Sequence, residues 1–232
     1  MNEKKIGPGV HIYTLSRLVH ASASSWERKI QQIEQGRDKA YLYYQPMREA
    51  AVAYCATEGE DRDGIVSRMI AQASRQPHGR GQDPESDNLR AFEIFESSCY
   101  PKIGAFVGSL LRKPQAPGVP FEGVMLLGAP HFQALDENGE TRFVFLQASR
   151  WLDTELNAYL ELLAVIVDKA YGEPPSSIWH MDLRAGSVSR HRPSIRVAKS
   201  CAAAAHHYAR MVPRRVLSLA VGALRISANA RS

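Results

Sequence analysis

Val124-Met125-Leu126-Leu127-Gly128-Ala129-Pro130-His131-Phe132 lies before the tetrapeptide Asp136-Glu137-Asn138-Gly139, and Arg142-Phe143-Val144-Phe145-Leu146-Gln147-Ala148-Ser149 follows it. This stretch decides the fold. Residues 121–135 read as a strand, with Val124, Leu126 and Leu127 as its apolar part. Asn138-Gly139 accepts the positive φ that a tight hairpin needs, so the chain turns back there. The return arm, Phe143-Val144-Phe145-Leu146, is apolar at every position, the pattern of a strand covered on both faces.

Toward the C terminus, Leu152, Leu156, Leu160, Leu163, Ile166 and Val167 recur at helical spacing between Trp151 and Ala170. Pro174-Pro175 stops that helix, and Ile178 to Leu183 forms a further strand ended by Ala185-Gly186. A last helix is expected from about Ser194 to Val212. Its apolar side would be Ile195, Ala198, Ala202, Ala205, Ala209 and Val212, beside a stripe of Arg196, Lys199, His206, His207 and Arg210. Pro213 ends it, and Val216 to Ile226 reads as a short terminal helix.

Toward the N terminus, helical periodicity dominates. One helix is expected from Thr14 or Ser16 to Gly36, a second from Met47 to about Thr57 behind Pro46, and a third from Asp61 to about Gln76. The breaker-rich segment 77–84 reads as a loop. A long helix, Glu85 to about Arg112, follows, kinked or split at Pro101. The expected fold is therefore α/β with α+β character. A helical region over 1–84 precedes a small mixed sheet flanked by helices over 85–212, and a basic, apolar segment spans 213–232.

Of the 232 residues, 44% are hydrophobic and 23% charged, enough to bury a core and inconsistent with wholesale disorder. No apolar run reaches the roughly 18 residues of a membrane span. Glu3, Lys4, Lys5, Pro8 and His11 interrupt the start of the chain, so no secretory leader is expected. The 3 cysteines, Cys55, Cys99 and Cys201, are far apart and fit a reducing cytoplasm better than a disulfide framework.

Charge is unevenly spread. All 24 acidic residues lie at or before Asp182, among 19 basic ones. Residues 183–232 hold Arg184, Arg190, Arg192, Arg196, Lys199, Arg210, Arg214, Arg215, Arg225 and Arg231, and no acid at all. Arginine is the side chain whose planar fork best matches phosphate. Such a tail implies a polyanionic partner, nucleic acid first, or a protein with an acidic face.

The order helix, strand, hairpin, strand, helix, strand, helix over roughly 85–212 resembles the core of the PD-(D/E)xK nuclease superfamily, the restriction-endonuclease-like fold. In that family a strand ends in a Gly-x-Pro-Asp motif and the strand after the hairpin carries Glu-x-Lys. Gly128-Ala129-Pro130-His131-Phe132 and Phe145-Leu146-Gln147-Ala148-Ser149 stand at those places. Asn157-Ala158-Tyr159-Leu160 resembles the family's next helix, and Ile178-Trp179-His180-Met181-Asp182-Leu183 its following strand. The resemblance implies carboxylates that bind Mg²⁺, but His131 replaces the aspartate, Leu146 or Gln147 the second acid, and Ala148 or Ser149 the lysine. Imidazole is a poor ligand for a hard cation. The implied reading is a nuclease-like fold without nuclease chemistry.

Other chemistry is also open at this stage. His180 and Asp182 share one strand face, so with His131 they suggest a transition-metal site, or simply an imidazole bonded to a neighbouring carboxylate. His206 and His207 point about 100° apart on a helix and do not suit one metal. Arg17, Trp26, Arg28, Lys29, Tyr41, Tyr43, Tyr44 and Arg48 mix bases with aromatics, the composition of a stacking surface or of a helical core. Cys99 reads as a small buried residue.

The leading expectation is non-catalytic binding of DNA or RNA, with phosphate contacts from Arg184, Arg190, Arg192, Arg196, Lys199, Arg210, Arg214 and Arg215. His131, Gln147, His180 and Asp182 form a vestigial or rearranged site, and no cofactor is called for. One alternative is a protein–protein subunit of a larger nucleoprotein or defence assembly, burying the apolar 216–226 segment. Another is a nuclease that uses Mg²⁺ or Mn²⁺ through Glu122 or Asp182.

Overall fold

The computed structural model describes residues 7–34, 43–76, 78, 81–111 and 118–212. Its strands are β1 (Gly9–His11), β2 (Ala105–Ser109), β3 (Val119–Phe121), β4 (Val124–Leu127), β5 (Phe132–Leu135), β6 (Thr141–Gln147), β7 (Ile178–Asp182) and β8 (Ser187–Arg190). Its helices are α1 (Ile12–Leu18), α2 (Ala23–Glu34), α3 (Gln45–Ala56), α4 (Arg62–Ala73), α5 (Pro84–Ile94), α6 (Asp153–Tyr171) and α7 (Ile195–Met211). Among the described residues two mixed sheets are flanked by helices, an α+β arrangement. The larger sheet has the order β2-β5-β6-β7-β8 and the smaller β1-β4-β3.

β6 is the centre of the fold. It pairs antiparallel with β5 and parallel with β7, the parallel step being made by the α6 crossover. Alternation along the strand sends Phe143 and Phe145 to one face and Val144 and Leu146 to the other. The first face is covered by α1, α6, α7 and the smaller sheet, with Leu15, Leu126, Leu163 and Ala205 in contact range of one cluster. The second is covered by α3, α4 and α5, through Met47, Ile65 and Phe92, and by Phe95 just beyond α5. Both clusters draw on residues from either side of position 84. A strand buried on both faces explains why every position of 143–146 is apolar.

Local signals set the element ends. Asp83 caps α5 by accepting the Ser86 N–H, with Pro84 at its first turn. Ser194 caps α7 by accepting the Val197 N–H, and Gly172 ends α6 in the left-handed conformation, φ 72°. In the β5–β6 hairpin the Asp136 carboxylate accepts the N–H groups of Asn138 and Glu140, at 2.9 and 3.0 Å. It also accepts Nε and Nη2 of the buried Arg142, at 3.0 and 2.7 Å.

Burial would raise the Asp136 carboxyl, but the Glu140 and Asn138 amides and the Arg142 guanidinium outweigh it and hold it below the usual carboxylate range. A carboxyl lowered on folding stabilises the fold above its unfolded value, near pH 4, and loses that contribution as pH falls through its folded value. Asp136→Asn is therefore expected to lower the urea midpoint at neutral pH and to flatten its acid dependence below about pH 4. An unchanged acid limb would contradict this role.

Five expectations are corrected. The first helix is two, because Ser22 and Ser25 bond one another in a serine-rich break that competes with helical hydrogen bonds. The long helix over 85–112 ends at Ile94. It passes through a π turn at Phe95–Cys99 and a 3₁₀ turn at Tyr100–Lys102, and the remainder is β2, paired with β5. Pro101 has no N–H to continue a helix, and Gly104 lets the chain turn against the Asp136 backbone. The strand over 121–135 is β4 and β5, and Glu122-Gly123, at φ 44° and 83°, makes a separate β3–β4 hairpin. The single small sheet is two sheets, and β8 adds an edge strand beyond β7. Finally, α7 buries Cys201, Ala204 and Ala205, while Ile195 is 78% exposed. The 216–226 segment lies outside the described residues.

Candidate functional site

The larger sheet brings His131, Gln147, His180 and Asp182 to one end. His131 immediately precedes β5, its N–H bonded to Val144 O, while Gln147 ends β6 and pairs in register with Asp182 of the parallel β7. Phe145, one pleat back on the same face, pairs with His180 and stacks on its ring at 6.0 Å.

The fold itself engages polar atoms of each of the four, leaving His131 Nε2 over. His131 is 1% exposed, and its Nδ1 accepts the Leu146 N–H at 2.9 Å. That bond assigns the proton to Nε2, which is buried without a partner. His180 Nε2 lies 2.5 Å from Gln147 Oε1, and Ser189 Oγ lies 3.4 Å from its Nδ1. Gln147 Nε2 donates to Ser149 O at 3.3 Å, and Trp151 Nε1 donates to Ser149 Oγ at 3.1 Å. The partner of His180 is thus the Gln147 amide and not a carboxylate. Asp182 instead accepts the Arg184 N–H at 2.9 Å, fixing the β7–β8 turn.

Burial, then the nearby Arg48 guanidinium, holds His131 well below the ordinary histidine value. Burial also lowers His180, partly countered by Asp182. His191, with Nε2 3.2 Å from Glu161 Oε2 but off hydrogen-bond alignment, is lowered by burial as well. With their values lowered by folding, these imidazoles take up protons more readily once unfolded, so stability rises with pH across their range. The urea midpoint should therefore fall from about pH 7 to about pH 5, and less steeply in His131→Gln. Equal slopes for the two proteins would contradict the assignment.

Among the described residues no three His, Cys, Asp or Glu side chains gather to hold a metal ion. Glu122 is remote from Asp182 in the topology. It sits in the β3–β4 turn of the smaller sheet and shares a shallow cleft with His206, His207 and Arg210 of α7. His207 packs edge-on against the buried Trp26, ring centres 4.7 Å apart. Cys55, Cys99 and Cys201 are buried thiols, each pushed up to about 12 chiefly by burial, which makes them poor nucleophiles.

The basic residues are placed differently. Arg184, Arg190, Arg192, Arg196, Lys199 and Arg210 are all exposed, and Arg214 and Arg215 lie outside the described residues. Arg196, Lys199 and Arg210 follow one stripe of α7 about 21 Å long. Arg190 is drawn toward Asp136, its Nη2 3.5 Å from the carboxylate, so its charge is partly spent within the protein. Of the mixed aromatic and basic set, Tyr41 is outside the described residues. Trp26 and Arg48 are buried, and Tyr43 donates to Asp87 at 2.6 Å.

One grouping was not anticipated. Arg90, Arg150 and Arg184 line a cleft of about 410 Å³ beside Tyr44 and Asp87, where β6 and β7 end. The three are widely separated in sequence, and only the packing of α5 over the sheet end joins them. Comparison with protein-family models, curated proteins and solved structures finds no match to the chain. Among the described residues no helix is long and apolar enough to cross a membrane.

Proposed function

We propose that this protein binds nucleic acid without cleaving it, on a restriction-endonuclease-like core. The observation that carries the reading is the run from Arg184 to Arg210, six exposed cations in a stretch without one acidic residue. Phosphate contacts of this kind position a strand and do not read its sequence, so the affinity is general. The reading also draws on the internal hydrogen bonds of His131 and Gln147, at positions where the resemblance puts catalytic acids, and of Asp182, the acid a rearranged site would borrow. Three buried free thiols suit a reducing, cytoplasmic setting.

The test incubates the full chain with labelled single-stranded DNA, duplex DNA and RNA, with Mg²⁺ or Mn²⁺ present, on native and denaturing gels. The expected result is retarded, intact nucleic acid. Cleavage that disappears in Asp182→Asn would overturn the non-catalytic assignment. Absence of retardation at low salt would overturn nucleic-acid binding and turn attention to an acidic protein surface.

A further inference from the structure

The cleft at the carboxyl ends of β6 and β7 has features that the nucleic-acid reading does not use. In open sheets the crevice beyond the ends of parallel strands is where ligands settle, because the chain segments diverge there. Here one wall is α5, presenting Asp87, Arg90, Ala91 and Ile94 at helical spacing. The other is formed by Ala148 and Arg150 after β6 and by Leu183 and Arg184 after β7. At about 410 Å³ it has the size of a small-molecule site.

Among the described residues no protein acceptor engages the guanidinium groups of Arg90, Arg150 and Arg184. The backbone that carries two of them is braced. Gln147 and Trp151 both bond Ser149, next to Arg150. Leu183 N–H donates to Gln147 O, and Arg184 N–H to Asp182. The polar chain from Ser189 through His180 and Gln147 thus ends at Ser149, next to Arg150. Among the described residues Asp87 is the one acid on the lining, and its Oδ2 accepts the Tyr43 hydroxyl. Three guanidinium groups against one carboxylate leave a charge of about two, which a phosphomonoester, at about −1.5 to −2, neutralises and a simple carboxylate does not. Arginine forks bond such a group bidentately. The Tyr44 ring and the apolar floor of Ala91, Ala148 and Leu183 leave room for the organic part of the ligand.

We infer that this cleft binds a phosphomonoester of about nucleotide size, held by Arg90, Arg150 and Arg184. The site shares Arg184 with the run of cations proposed to contact nucleic acid but takes nothing from the α7 stripe, and it stands without that stripe. A free nucleotide and the phosphorylated end of a strand offer the same chemistry, and titration separates them. The full chain is titrated calorimetrically with AMP, adenosine, inorganic phosphate, and a hexanucleotide with or without a 5′-phosphate.

AMP or the phosphorylated hexanucleotide should bind, while adenosine and the unphosphorylated strand bind at least about 10-fold more weakly, the value of one charged hydrogen bond. AMP binding as tightly as the phosphorylated strand identifies a free nucleotide; tighter strand binding identifies a strand end. Arg150→Gln and Arg184→Gln, both at exposed positions, should each weaken binding about 10-fold or more with an unchanged Tm. Arg196→Gln/Lys199→Gln/Arg210→Gln should leave the AMP titration intact, so failure of the nucleic-acid reading and failure of this one are distinct results. No binding of any phosphorylated probe, or binding that both arginine variants retain, would overturn the inference.

Discussion

Phe145→Ala is expected to cost about 3–5 kcal/mol of unfolding free energy, the range for deleting a fully buried phenyl ring. Phe145 is 1% exposed, and its ring lies 4.6 Å from Tyr159, 5.2 Å from His131 and 6.1 Å from Trp151, centre to centre. These partners come from the crossover helix, the entrance to β5 and the segment between β6 and α6. Domains of this kind have roughly 5–15 kcal/mol in total, so the variant should be close to unfolding at physiological temperature. The smaller lesion Phe145→Leu should keep most of the stability. Urea unfolding checks both, and a loss below about 1 kcal/mol for the alanine variant would contradict β6 as the centre of the fold.

The combined variant Arg196→Gln/Lys199→Gln/Arg210→Gln should weaken nucleic-acid binding on the order of 10²-fold or more at about 50 mM salt. Each cation that neutralises a phosphate releases condensed counterions, contributing about 0.9 to the slope of log affinity against log salt. Three losses should therefore flatten the slope by about 2.7 on duplex DNA and about 2.1 on single strands. The loss should be similar for every probe sequence, since phosphate contacts carry no base information. All three side chains are exposed, so the Tm should barely change. A variant binding as well as wild type would remove α7 from the interface.

What was legible in the sequence was local. Asn138-Gly139 fixed a hairpin, the leucines of 152–163 fixed a helix, and Ser194 fixed the start of α7, because each signal acts within a few residues. β2 was misread because Phe106 and Leu110 fit helical spacing as well as a strand, and pairing with β5 decides between them. β8, Ser187-Val188-Ser189-Arg190, has one apolar residue, and its place comes from backbone bonds to β7 rather than from a hydrophobic pattern. The alanines of 202–205 gave no contrast between faces, so the buried stripe of α7 was set by what α6 offers it, Cys201 Sγ lying 3.7 Å from Ala158 O.

The candidate site divides along the same line. The exposed cations could be read directly, because a charge run without acids is a property of the chain. Gln147 meeting His180 could not, since it depends on the parallel register of β6 and β7. Nor could the arginine cleft, whose three arginines lie on separate segments.

The most direct measurement is fluorescence anisotropy of labelled single-stranded DNA, duplex DNA and RNA against the full chain, from about 50 to about 200 mM salt. With about four phosphates neutralised, the account predicts a slope near −3.6 on duplex DNA and near −2.8 on single strands, with a loss of about 10²-fold for the duplex across that range. Undetectable binding at the lowest salt, or affinity that does not change with salt, would contradict it.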